Sequence, residues 1–203
     1  MKIAVIGASG NAGARITAEL ARRGHAVTAI ARTPEKIARL ANVVPAKGDA
    51  MDEAGLTKLL KGHDAAISSI HFLASDPAKL IGAAKASGVG RYLVVGGAGS
   101  LEVAPGVRLV TTPNFPAQYK AEAEKGAAFL DRLAQEKDLN WIFLSPSALF
   151  VPGERTGKFR LGTDQLLAGA DGKSWISFED FAVALADEIE RPAHIRKRFT
   201  VGY

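Results

Sequence analysis

Apolar positions in the first half of the chain alternate between two rhythms. Ile3-Ala4-Val5-Ile6 is an unbroken apolar run that stops at Gly7, as a strand buried on both faces would. Residues 11–23 then set Ile16 and Leu20 one helical turn apart, and Gly24 follows as a stop signal. A second strand is predicted at 27–31. Thr33-Pro34-Glu35 supplies an N-cap, a first-turn proline and a first-turn acid, which predicts a helix running to about Leu40. The pattern continues with a short strand at 43–44, a helix at 53–60, a strand at 65–70, a helix at 77–86 ended by Gly88, and a strand at 91–95. Strands and helices in this alternation predict an α/β fold, a doubly wound parallel sheet with right-handed crossovers and helices on both faces.

The second half is less regular. Residues 96–116 are rich in Gly, Pro and Thr and read as a long functional loop. A helix is predicted at 117–136, a strand at 141–144, and a loop-rich stretch at 151–173 with Gly153, Gly157, Gly162, Gly169 and Gly172. Ser177, with Asp180 three residues on, opens an amphipathic helix at 178–190, and 198–201 is a last strand. With no repeat and no linker, residues 1–203 are expected to form one domain, 151–175 being a small loop-rich segment on the substrate side.

Composition narrows the chemistry. The 203 residues are 47% hydrophobic and 23% charged, which suits a folded globule. There is no cysteine, so disulfides, thiolate metal sites and cysteine nucleophiles are excluded. His25, His63, His71 and His194 lack short ligand spacing, and no metal site is expected. The apolar stretch 141–152 is broken by Pro146 and is far short of the roughly 20 residues a membrane helix needs. With Met1-Lys2-Ile3 leading straight into a strand, a soluble cytoplasmic protein without membrane attachment is expected. The net charge of +5 suits an anionic ligand. The densest basic run, 191–198, follows a helix end where cations are favoured anyway, so nucleic acid is not an expected partner.

Gly7-Ala8-Ser9-Gly10-Asn11-Ala12-Gly13 is a G-x-x-G-x-x-G segment between the first strand and the first helix. Glycines there allow a tight turn and let the backbone approach a pyrophosphate, whose charge rests on the helix N-terminus. Gly7, Ser9, Gly10, Asn11, Ala12 and Gly13 are therefore candidate dinucleotide contacts. The second strand ends in Arg32, with no acid before Glu35. An acid there would hold a ribose 2′-hydroxyl, whereas a guanidinium pairs with a 2′-phosphate, so NADP is favoured over NAD. Asp49 and Ala50 follow the third strand, where an adenine would lie. Ser68, Ser69, Ile70 and His71 end the fourth strand beside the expected nicotinamide, and His71 is a candidate acid or proton relay. Gly172-Lys173-Ser174 lacks the earlier glycine of a phosphate loop, and Gly7-Ala8-Ser9 lacks the closing glycine of a nucleophile elbow.

These residues, with Val94 to Ser100 after the fifth strand, resemble an atypical short-chain dehydrogenase/reductase. Trp141 to Pro146, Pro152 to Gly157 and Arg198 to Tyr203 narrow the likeness to the small proteins of the NmrA-like group assigned as NADH-flavin reductases. The resemblance implies a Rossmann fold holding NADP, with the nicotinamide near Ser68 to Ile70 and Pro146. Carbonyl-reducing members of the wider family use a serine, a tyrosine and a lysine four positions after the tyrosine. Ser100 and Tyr119 are candidates for the first two, but position 123 is alanine, and neither Lys120 nor Lys125 repeats the spacing. Without a placed cation a tyrosine is a poor acid at neutral pH. Hydride delivery to a delocalised acceptor, a flavin or quinone, needs such an acid less than ketone reduction does. A planar small molecule is thus the expected partner, held by the 97–118 loop, the 151–163 segment and stacking rings from Phe115, Phe150 and Phe159. The alternative reading is a non-catalytic NADP-binding redox sensor of the NmrA kind. Oligomerisation is left open.

Overall fold

The structure, a computed structural model, describes residues 1–203. In chain order the strands are β1 (Lys2–Ile6), β2 (Ala26–Ala31), β3 (Val43–Lys47), β4 (Ala65–Ser68), β5 (Arg91–Val95), β6 (Glu102–Ala104), β7 (Val107–Arg108), β8 (Trp141–Pro146), β9 (Leu149–Val151), β10 (Arg160–Gly162), β11 (Trp175–Ser177) and β12 (Lys197–Gly202). The helices are α1 (Asn11–Arg22), α2 (Glu53–Leu60), α3 (Pro77–Ser87), α4 (Ala117–Leu133) and α5 (Phe178–Glu190).

Eight strands form the main sheet in the order β10-β12-β8-β5-β4-β1-β2-β3. All its neighbours pair in parallel except the edge pair β10 and β12. Because side chains alternate across a strand, β1 feeds two cores. Ile3 and Val5 join the layer beneath α1 and α5, while Ala4 and Ile6 join the layer containing Leu56, Leu80 and Phe129 of α2, α3 and α4. The sheet is therefore covered on both faces, as its unbroken apolar strands require. The strand order reverses at β1, which lies between β2 and β4. The carboxyl ends of β1 and β4 open into a crevice there.

Several expectations change. The helix predicted to run from Thr33 to Leu40 is a single 3-10 turn, Pro34–Lys36, after which Ile37 is already extended. Ile37 is its one buried anchor, too little tertiary support for so short a helix. β4 stops at Ser68, two residues early, and the chain turns through Ser69–His71 into the 3-10 turn Phe72–Ala74. The stretch 96–116 contains a small antiparallel hairpin, β6 and β7, turning at Gly106 with φ 72°. The 151–173 stretch contributes the edge strand β10, and β9 and β11 on its flanks pair as a separate parallel ribbon. These strands are only two or three residues long, below the reach of a periodicity argument. No helix is long and apolar enough to cross a membrane.

Candidate functional site

The turn between β1 and α1 is built by close backbone approach. Gly7 adopts φ 85°, and a side chain on it would collide with the Ser69 carbonyl and come within 2.7 Å of Ile70 Cδ1. A Cβ on Gly13 would run into the Gly7 carbonyl. Gly10 caps α1 with no side-chain bond, and the first turn of that helix holds no acid. By contrast α2, α3 and α5 are capped by Asp52, Asp76 and Ser177. The N–H groups opening α1 therefore carry no capping side chain and no first-turn acid, which fits a diphosphate.

That crevice is a cleft of about 260 Å³ lined by Gly7, Ser9, Gly10, Arg32, Asp49, Ala50, Ser69, Ile70 and His71, among others. Arg32 is exposed, with its guanidinium free of any salt bridge. Asp49 is exposed, its Oδ1 accepting from Met51 N at 2.9 Å. The cleft continues past Asn11 and Ala12 into a space of about 280 Å³ bounded by Ser69, His71, Phe72, Gly96, Glu122, Phe150 and Phe178. Three of the candidate cofactor contacts line neither space. Ser68 is buried within the sheet, in register with Ile6 and beside the Tyr92 hydroxyl. Gly13 lies beneath Gly7, where its lack of a side chain rather than a direct contact matters. Pro146 stands further along, in the wall of a third cavity.

This third cavity, about 550 Å³, shares Phe72, Gly96, Glu122 and Phe150 with the far end of the cleft. Phe150 sits between the two because it leans on α5, its ring 4.5 Å from Phe178 and 4.7 Å from Phe181. Phe72 packs edge-on to Phe129 and stacks towards Phe143. Of the three rings proposed as stacking surfaces, Phe115 and Phe150 line the cavity, and Phe159 packs against the core instead. The 151–163 segment lines none of these spaces. It is fastened to the α1 and α5 face, where Arg155 bonds Glu19 and both Thr156 and Gly157 donate to buried Asp180.

The tyrosine-lysine arrangement is absent for a geometric reason. Tyr119 lies at the mouth of the cavity, 62% exposed. Four residues on, Ala123 faces Gly99 so closely that a Cβ on the glycine would lie 2.7 Å from the Ala123 Cβ. A lysine at 123 would have to thread between these two segments. Ser100 is buried outside the cavity wall, with Arg198 Nη1 3.5 Å from its hydroxyl. Position 122 carries the ionisable group instead. Glu122 accepts from the backbone N–H of Phe72 at 2.6 Å and of Leu73 at 2.9 Å, and its Oε1 lies 3.4 Å from His71 Nδ1. It thereby ties α4 to the turn that follows β4 and places His71, 89% exposed, at the junction of cleft and solvent. Glu122 escaped the sequence reading, although Tyr119 and Glu122 are one turn apart on the same helix face and that spacing was visible.

An open parallel sheet, a glycine turn at its switch point and an uncapped helix facing the crevice define a dinucleotide-binding protein of the Rossmann type. The NAD(P)H-binding family matches residues 7–192 of the chain, which belongs to that family. Three solved structures are similar over its whole length. One, described as a "putative exported protein" from Burkholderia pseudomallei, is 44% identical with a TM-score of 0.90, each chain covered completely. A "putative epimerase" from Bacteroides thetaiotaomicron is 40% identical with a TM-score of 0.95, covering 100% of this chain and 96% of the other. A "putative NADH-flavin reductase" from Streptococcus pneumoniae is 36% identical with a TM-score of 0.87, covering 100% and 99%.

Proposed function

We propose that the chain is an NADPH-dependent reductase that delivers hydride to a planar flavin- or quinone-like acceptor. The observation that carries this reading is the apolar cavity opening directly onto the far end of the cofactor cleft through Phe72, Gly96, Glu122 and Phe150. The likeness to the streptococcal protein supports the flavin half of the reading. Bound NADPH supplies the hydride. The first turn of α1 holds the diphosphate, Arg32 pairs with the 2′-phosphate, and Ser69 and Ile70 flank the nicotinamide end. Phe150 and Phe115 orient the acceptor, so that geometry rather than an acid lowers the barrier. Each turnover moves one hydride from the nicotinamide and one proton to the acceptor, leaving NADP+ and a two-electron-reduced product. The proton comes from solvent, which reaches the junction of cleft and cavity beside exposed His71 and its partner Glu122.

The test is oxidation of NADPH by the purified protein with a panel of flavins and quinones. Consumption should depend on the acceptor and should survive Tyr119→Phe within about threefold, since a true general acid would contribute at least about a hundredfold. A protein that binds NADPH but speeds no acceptor's reduction would sink the enzyme reading in favour of a redox sensor.

A further inference from the structure

We infer that the acceptor cavity is built for an uncharged molecule and discriminates against anionic ones, a rule that rests on the reductase reading and sharpens it. The cavity wall is made of aromatic, aliphatic, glycine and small polar side chains, and its one charged side chain is the carboxylate of Glu122. No lysine or arginine lines it. The basic groups on neighbouring segments are engaged elsewhere. Arg108 gives two nitrogens to Asp131, at 2.7 and 3.0 Å, and Arg198 bonds Asp164. Lys120 follows Tyr119 by one residue and so points about 100° around α4 from it. His71 approaches Glu122 from the cleft side and does not line the cavity.

Glu122 cannot easily swing away to admit an anion. Both its oxygens are committed to the N–H groups of Phe72 and Leu73, which fixes a negative charge at the inner wall. A phosphate brought into this space would lose water without gaining a counter-charge and would meet a like charge in an apolar setting, two penalties of the same sign. The far end of the same cleft does the opposite, with Arg32 unpaired and exposed. Anion recognition is thus confined to the cofactor cleft, at Arg32 and the first turn of α1, and the acceptor end selects neutral rings. The chemical class this defines is a phosphate-free isoalloxazine or an unsulfonated quinone, in preference to flavin mononucleotide or flavin adenine dinucleotide.

Riboflavin and riboflavin 5′-phosphate make the decisive pair, because they share one reactive ring and differ by the phosphate. Each should be titrated by fluorescence quenching into the NADP+-saturated protein and, separately, used as acceptor for NADPH. The expected result is a preference for riboflavin of about tenfold or more in both Kd and kcat/KM. Raising salt from low to high ionic strength should narrow the gap by screening the repulsion. Leu149→Arg, at the exposed lip of the cavity, should raise the efficiency of the phosphorylated flavin relative to riboflavin. Equal constants for the two flavins, or a preference for the phosphate, overturn the charge rule while leaving the reductase reading standing. If neither flavin binds or is reduced, it is the flavin reading itself that falls.

Discussion

Arg32 stands at the adenosine end of the cleft with no carboxylate holding its guanidinium, so its charge is available to a ligand. Replacing it by aspartate reverses the local preference, adding repulsion to a 2′-phosphate and an acceptor to a 2′-hydroxyl. Arg32→Asp should weaken NADPH by about tenfold to a hundredfold, the worth of a charge-assisted hydrogen bond, and leave NADH within about threefold. Calorimetric titration with both coenzymes checks this, and equal losses would show that the arginine does not read the phosphate. Single residues were legible in the sequence when their role is carried by backbone shape or by strand position. Gly7, Gly10 and Arg32 sit where the motif put them. Ser68 lines neither the cleft nor the space beyond it, because β4 ends at it and leaves it buried in the sheet while Ser69 and Ile70 turn out into the cleft, and that strand end was not in the pattern. Glu122 was hidden because its partners are backbone N–H groups fifty residues away.

At the scale of elements, the contact that leaves no room for a lysine at position 123 is between α4 and the Gly97–Ser100 turn after β5. Gly99 and Ala123 are both small, and neither can grow without driving the two segments apart. Ala123→Lys restores the tyrosine-lysine spacing in sequence but not in space. It should destabilise the fold by about 1–3 kcal/mol, as overpacking does, and should confer no ketone reduction. Thermal denaturation and an assay with simple ketones test the two halves of that statement, and a stable variant with carbonyl reductase activity would contradict it. The long elements were readable because tertiary burial and local preference agree in them: Ile16 and Leu20 both face the core. The turn at Pro34–Lys36 had every local helix signal and too little to pack against. The β9–β11 ribbon exists only because distant segments meet, which no local pattern encodes.

Across the whole molecule, the densest polar knot lies opposite the acceptor cavity. Glu19 of α1, with a side chain 4% exposed, bonds Arg22, Arg23 and Arg155 together. Burial opposes its charge, but the hydrogen bonds from the three guanidinium groups outweigh that and hold its carboxyl far below the ordinary value near 4.5. Glu179 and Glu190 are lowered in the same way, burial being outweighed by Gly153 N–H and Arg15 for one and chiefly by Arg23 for the other. Depressed folded-state values mean that the unfolded chain takes up protons first as pH falls. The stabilisation is complete above the ordinary carboxylate range and is lost progressively below it. Melting temperature should therefore drop steeply as pH is taken from 6 towards 3, the region around and below the ordinary carboxylate value. Glu19→Gln should cost about 3 kcal/mol at neutral pH and flatten that slope, because the remaining arginines lose their buried counter-charge. An unchanged slope in the variant would place the acid sensitivity elsewhere.

Arg155 gives that knot a second meaning. Glu19 lies eight residues along α1 from Asn11, roughly 12 Å of rigid rod at 1.5 Å per residue. The flap that carries Pro152 to Gly157 is riveted to the far end of this rod, and through Gly153 and Thr156 to α5 as well. Cradle and flap thus ride on one chassis, and neither can swing without the other. The glycine-bearing segment is thus a fixed part of the α1 and α5 face. On the proposed reading, acceptor and product would pass by the threshold between Tyr119 and Leu149, which are 62% and 57% exposed.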